Sequence, residues 1–161
     1  MRSTVLLRKM FYLLAVVSAA QLSSVSAQVD DDGRLNRAIE LLENDQPAFG
    51  VLSFDYSLNN ARSMSRSGLD FIIIDMEHSP FDIERLRQFL LGMTDKRMIL
   101  EKGNLQPNVV PFVRVPASGG QDILTQAKQV LDVGVFGVMY PSINTREEAE
   151  MMIRATSYPQ L

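Results

Sequence analysis

The sequence predicts an α/β chain made of a leading helix and four consecutive β–α units. Two observations carry that prediction. Four short apolar runs alternate with stretches whose apolar residues recur at helical spacing, and strict alternation of this kind implies parallel strands joined by crossover helices. One run, Phe71-Ile72-Ile73-Ile74, is apolar on both faces, as parallel strands covered on both sides are.

The elements follow in order. Leu35, Ile39 and Leu42 place a short helix over Arg34 to Glu43. Pro47 interrupts, and Phe49 to Phe54 reads as the first strand. Asp55 to Ser67 is helical in pattern and stops at Gly68, a common helix terminator. Leu69 to Asp75 is the second strand. Pro80 and Asp82 open a helix in which Ile83, Leu86, Phe89 and Leu90 share a face. Gly92 to Asn108 reads as a long connection with a helical turn around Met98 to Lys102. Val109 to Val115 is the third strand, with Pro111 awkward inside it because proline donates no ladder hydrogen bond. Gln121 to Asp132 is a helix facing inward through Ile123, Ala127, Val130 and Leu131, closed by Gly134. Val135 to Tyr140 is the fourth strand. Asn144 or Thr145 caps a last helix running to about Thr156, with Glu147 and Glu148 in the first turn where the helix dipole favours acids.

The first stretch is expected to lie outside the fold. Arg2, Arg8 and Lys9 precede the apolar run Met10 to Ala20, and Val25-Ser26-Ala27 offers small residues for cleavage. Residues 1–27 thus read as a secretory signal peptide, residues 28–33 as a flexible lead-in and residues 34–161 as the folded domain. The apolar run is shorter than the roughly 20 residues a membrane span needs, so a periplasmic or secreted protein is expected.

Composition narrows the chemistry. The chain has 161 residues, 46% of them hydrophobic and 22% charged, within the range of ordinary globular domains. It contains no Cys and 1 His, which rules out thiolate nucleophiles, zinc–thiolate sites and multi-histidine metal sites. A net charge of −3 gives no electrostatic reason to expect nucleic acid as a partner. A doubly wound sheet and a (β/α)8 barrel both suit the pattern. No Gly-x-Gly-x-x-Gly follows a strand, which weakens a dinucleotide-binding sheet. A whole barrel needs roughly 250 residues, so the chain matches the first half of one.

Sites in parallel α/β folds lie at the carboxyl ends of the strands. Asp75, Glu77 and His78 follow the second strand, Arg114 ends the third, and Ser142 and Asn144 follow the fourth. Asp75-Met76-Glu77-His78 is the densest group, with two carboxylates and the sole imidazole beside a buried strand's end. Histidine titrates near neutrality and serves as a general base, whereas a guanidinium fork matches two oxygens of a carboxylate or enolate. A loop histidine bonded to backbone, and an arginine paired with a neighbouring acid, are the plainer readings of His78 and Arg114.

These residues resemble the HpcH/HpaI aldolase family. The likeness rests on GLDFIIIDMEHSPFD from Gly68, FVRVP ending at Pro116, QAKQVLDVGVFGVMYP from Gln126, and the EEA and IRATSYP pieces ending at Pro159. The resemblance implies a (β/α)8 barrel, commonly a homo-oligomer, that cleaves 4-hydroxy-2-oxo acids to pyruvate and an aldehyde with a divalent metal (magnesium, manganese or cobalt). It implies His78 as base, Arg114 as the guanidinium that steadies negative charge on oxygen, and Asp132 as an acid that raises the basicity of the histidine. A helix end lies away from the strand ends, so Asp132 is expected to act across a subunit boundary or only structurally. Asp75 and Glu77 are implied as outer groups near the metal. The family's metal ligands, a Glu and an Asp, belong to later strands, beyond Leu161, so no metal ligand is expected in this chain and it is expected to be inactive alone. Two other readings stay open: a half-barrel that pairs with a second chain, and a non-catalytic oxo-acid-binding or scaffold domain.

Overall fold

Four of the apolar runs become four parallel strands hydrogen-bonded in sequence order, β1-β2-β3-β4. The computed structural model describes residues 36–117 and 123–157. The proposed signal peptide and lead-in lie outside them. The elements are α1 (Arg37–Glu43), β1 (Gly50–Ser53), α2 (Leu58–Met64), β2 (Phe71–Asp75), α3 (Ile83–Met93), α4 (Lys96–Lys102), β3 (Val110–Arg114), α5 (Ile123–Asp132), β4 (Gly137–Met139) and α6 (Arg146–Thr156).

Helix starts follow local side-chain chemistry. Asn36, Ser57, Asp82, Asp95 and Thr145 each sit before a helix and accept hydrogen bonds from its first free N–H groups. Such a cap stabilises a helix by about 1 kcal/mol. Thr145 and Glu148 form a reciprocal capping box, which resolves the choice between Asn144 and Thr145 in favour of the threonine.

The helices cover one face of the sheet. Ile72, Ile74, Val113 and Val115 point into that layer and are fully buried against Ala61 of α2, Leu86 and Phe89 of α3 and Val130 of α5. Each large side chain so buried contributes about 2 kcal/mol. Gly92 permits the close approach of α3 to α2: a Cβ there would lie 2.6 Å from Leu58 Cδ1. On the opposite face lie Leu52, Phe71, Ile73, Phe112 and Met139. Phe71 and Phe112 lie over the glycines of the edge strands, where a Cβ on Gly50 or Gly137 would come within 2.3 Å and 2.7 Å of their rings. This face is only half covered, with Leu52 36% and Met139 41% exposed. The Phe71–Ile74 run was expected to be covered on both sides. Among the described residues, helices cover only one of those sides.

Several boundaries differ from the pattern-based reading. Helix α2 ends at Met64, with Ser65 as its cap and a turn through Ser67, so Gly68 terminates nothing helical. The expected turn at Met98 is a complete helix, α4, closed by Gly103 at φ 74°. Helix α1 buries Ala38, while Ile39 and Leu42 stay exposed. Arg37 docks that helix instead, its Nε 2.9 Å from Asp70, whose other oxygen accepts the Phe49 N–H. Both bonds hold the Asp70 carboxyl below its ordinary value, the Phe49 bond more strongly. Pro111 does lie inside β3. Its carbonyl faces the β4 side, accepting from Phe136 N–H, and β4 pairs with β3 only from Phe112 onward. The missing proline N–H therefore falls before that ladder begins.

Candidate active site

Strand register builds the site. Asp75 and Arg114 are direct neighbours in the β2–β3 ladder, and Arg114 in turn neighbours Met139 of β4. Side chains alternate along a strand. Because Ile72 and Ile74 take the helix side, Phe71, Ile73 and Asp75 take the other, and Phe112 and Arg114 match them across the ladder. Both charged residues are thus set on the open face at the carboxyl ends of their strands.

Asp75 is the hub. It is 0% exposed, and both of its carboxylate oxygens have hydrogen-bonding neighbours. Its Oδ1 accepts from Arg114 Nε at 2.9 Å, Glu77 N–H at 2.9 Å and His78 N–H at 3.4 Å. Its Oδ2 lies 2.6 Å from Arg114 Nη2 and 3.1 Å from His78 Nδ1. Burial by itself raises a carboxyl's pKa. Here the bonds from Arg114, the Glu77 N–H and His78 outweigh it, and Asp75 is held far below the usual carboxylate range. The same pair raises the Arg114 guanidinium above its ordinary value, the Asp75 bond being the main cause. Glu77 completes the ring of contacts, its Oε2 3.2 Å from Arg114 Nε and 4.0 Å from His78 Nδ1. The His78 side chain is 62% exposed, with Nδ1 turned toward Asp75 and Arg114 and Nε2 on the other edge of the ring.

Asp75, Glu77 and His78 each bring one donor atom to within 4.8 Å of the others, the spacing of a possible cation site. Arg114 decides whether they fit one. Both Asp75 oxygens are bound by the guanidinium, and Nη2 also lies 2.7 Å from His78 Nδ1. With Arg114 in place the donor atoms of all three residues are already taken up by the guanidinium, and they do not fit a divalent ion.

Asp132 is not brought to this cluster within the chain. It ends α5, the helix that leads into the amino end of β4, and its partner is Lys128 one turn earlier. The carboxylate that touches His78 is that of Asp75. Ser142, in the left-handed region at φ 58°, and Asn144, whose side chain donates to the Ser142 carbonyl, shape the loop after β4. A cavity of about 480 Å³ opens elsewhere, at the amino ends of β3 and β4 between α3 and α4, lined by residues such as Leu90, Met98, Lys102 and Phe136. It is at the wrong end of the sheet for the chemistry of Asp75 and Arg114.

Sequence reasoning passed over Tyr56. It follows β1 on the same carboxyl side, and its hydroxyl donates to the Asp75 carbonyl at 2.5 Å. Burial pushes the phenol above its ordinary value, partly offset by a hydrogen bond with the Ser79 side chain, so it stays a donor. Tyr56 therefore bridges the two ends of the Asp75–Ser79 loop that carries His78. The only available signal was its place just beyond a strand's carboxyl end. Tyr56→Phe is expected to cost about 1 kcal/mol of stability. It should also shift the ring NMR signals of His78, the chain's one histidine, toward those of a free imidazole. Unchanged ring signals would show that Tyr56 supports the fold and does not position the loop.

A parallel β–α array thus gathers an imidazole, a guanidinium and a buried carboxylate at its strand ends, a set of groups suited to binding oxygen anions. The chain belongs to the HpcH/HpaI aldolase/citrate lyase family, which its residues 56–161 match. It is 32% identical over 118 residues to a hydroxypyruvate/pyruvate aldolase of Paraburkholderia phytofirmans, covering 73% of this chain and 40% of that protein. It is also 32% identical over 93 residues to the 5-keto-4-deoxy-D-glucarate aldolase of Escherichia coli, covering 58% of this chain and 30% of that one. Among solved structures, an HpcH/HpaI aldolase/citrate lyase family protein from Burkholderia cenocepacia superimposes with a TM-score of 0.63 at 28% identity, over 79% of this chain and 44% of the other. The matched stretch spans between 30% and 40% of the length of these curated relatives.

Proposed function

We propose that these residues form the base-and-guanidinium half of a class II, metal-dependent pyruvate aldolase that splits 4-hydroxy-2-oxo acids into pyruvate and an aldehyde. The single observation supporting this reading is the contact of Arg114 with both Asp75 and His78 at the open end of the sheet. In cleavage His78 takes the proton of the substrate's 4-hydroxyl, directly or through a water, as the carbon–carbon bond breaks. The electron pair passes to the oxo group, and Arg114 stabilises the enolate oxygen that results. Asp75 holds both groups in register.

A divalent cation, when bound, would act as a Lewis acid on the oxo acid. Since the cluster around Asp75 does not accept one, its ligands would come from carboxylates on further strands. The polypeptide is accordingly expected to turn over no substrate alone, and to work within a completed barrel, as a homo-oligomer in an exported compartment. The exposed sheet edge also suits a second reading, in which a partner chain completes the barrel, because Phe49, Val51, Leu52 and Phe54 on and beside β1 are all exposed.

Pyruvate release from 4-hydroxy-2-oxo acids with magnesium, manganese or cobalt tests the proposal. The assay compares the chain alone with the chain fused to the last four β–α units of the Burkholderia relative. Turnover by the folded fusion is expected. A folded fusion that releases no pyruvate from any such acid would remove the aldolase reading.

A further inference from the structure

We propose that Arg114 holds the His78 ring in the tautomer that cannot act as a base, and that a 2-oxo acid arms the ring by drawing the guanidinium away. The inference rests on the aldolase reading of this site for its ligand, and on distances alone for the lock. His78 Nδ1 lies 2.7 Å from Arg114 Nη2 and 3.1 Å from Asp75 Oδ2. A ring nitrogen either donates or accepts, a guanidinium only donates and a carboxylate only accepts. Nδ1 therefore cannot hydrogen-bond both neighbours at once.

The distances favour the bond from Arg114. Arg114 Nη2 carries two hydrogens, and it has two partners, Asp75 Oδ2 at 2.6 Å and His78 Nδ1 at 2.7 Å. One hydrogen goes to each. The 3.1 Å between Oδ2 and Nδ1 is then the gap between two acceptors sharing one donor group. Nδ1 holds a lone pair, and the neutral ring keeps its proton on Nε2. Nε2 is the nitrogen on the other edge of the ring, and in this tautomer it can only donate.

A 2-oxo acid changes the balance because its carboxylate and keto oxygens compete for the same guanidinium hydrogens. Once Nη2 turns to the ligand, the Nδ1 lone pair faces the Asp75 carboxylate with no hydrogen between them. That repulsion is relieved when Nε2 gives its proton to water and Nδ1 takes one from water, with no net change in charge. The new Nδ1–H donates to Asp75 Oδ2, and Nε2 gains the lone pair that a base needs. Arg114 keeps its Nε bond to Asp75 Oδ1 as the pivot. Proton abstraction thus waits for the oxo acid to be seated.

The test uses the chain's single histidine, whose ring gives one pair of nitrogen signals in the 15N-labelled protein. Long-range proton–nitrogen correlation, in alkaline buffer where imidazole is neutral, reads the tautomer directly. Ligand-free protein is expected to be mainly Nε2–H. Arg114→Met should convert it to Nδ1–H. Arg114→Lys, whose ammonium ends one bond short of the Nη2 position, keeps a cation for Asp75 while drawing the donor back from Nδ1, and should do the same if the methionine variant fails to fold. Pyruvate or oxalate should move the wild-type ring toward Nδ1–H and leave the variants unchanged. A ligand-free ring already in the Nδ1–H form, or a ring indifferent to loss of the arginine, overturns the lock. A ring that switches in the variants but ignores both acids overturns the arming step. Tautomers are read without turnover, so an inactive fusion would remove the aldolase reading while leaving the lock standing.

Discussion

His78→Ala, placed in the barrel-completing fusion, is expected to lower kcat for retro-aldol cleavage about a thousandfold while KM for the oxo acid changes little. General-base catalysis by a positioned side chain contributes typically 10² to 10⁴ in rate. The asymmetry follows from the geometry. His78 is 62% exposed and reaches outward to the reacting hydroxyl, whereas Arg114, 19% exposed and anchored on Asp75, is the group that meets the acid's oxygens. Removing the imidazole therefore removes an interaction needed in the transition state and leaves ground-state binding in place. Because the ring packs into no core, the fold should be untouched, with the urea midpoint of the variant matching wild type. Wild-type rates from a folded His78→Ala fusion would take the histidine out of the mechanism.

Asp75→Ala is expected to be the most destabilising change in the site, at about 3 kcal/mol. Breaking a buried ion pair by deleting one partner costs about 3–5 kcal/mol, because the survivor is left without its counter-charge. Glu77 remains near Arg114 and moderates the loss, but the Glu77 and His78 N–H groups both lose their acceptor. Urea unfolding measures it, and a loss under about 1 kcal/mol would show that Asp75 is not the hub. The same residue sets the acid sensitivity. A carboxyl whose folded pKa is depressed binds protons more readily when unfolded, so its contribution is complete above the ordinary value of about 3.9 and declines as the pH falls below it. Asp75 is depressed despite its burial by the bonds from Arg114, Glu77 N–H and His78, and Asp70 by those from Phe49 N–H and Arg37. Stability should therefore drop steadily below about pH 4, and Asp75→Asn should flatten the part of that slope that belongs to the hub.

Much of the fold was legible because its signals are local. The apolar runs at Phe71–Ile74 and Val110–Val113, the caps at Asp82 and Thr145, and the glycine at Gly134 each act through their own neighbours in the chain. Misreadings occurred where a distant contact outweighed a local pattern. Helix α1 has an apolar stripe at Ile39 and Leu42, yet it is held by Arg37 reaching Asp70, 33 residues away. Pro111 looked disruptive because the side on which its missing donor falls depends on where β4 begins to pair. Tyr56 had no pattern to announce it, since its partner is a backbone carbonyl 19 residues on.

The sequence by itself determined the alternating β–α order, the cluster of Asp75, Glu77 and His78 beyond one strand, and the lone guanidinium at the end of the next, because hydrophobic period and strand ends are properties of consecutive residues. Only the tertiary structure decided which acid lies beside the histidine within the chain. Parallel register brings Asp75 level with Arg114 and leaves Asp132 at the far end of its helix, and hydrogen bonding acts only across the few ångströms that such a register creates.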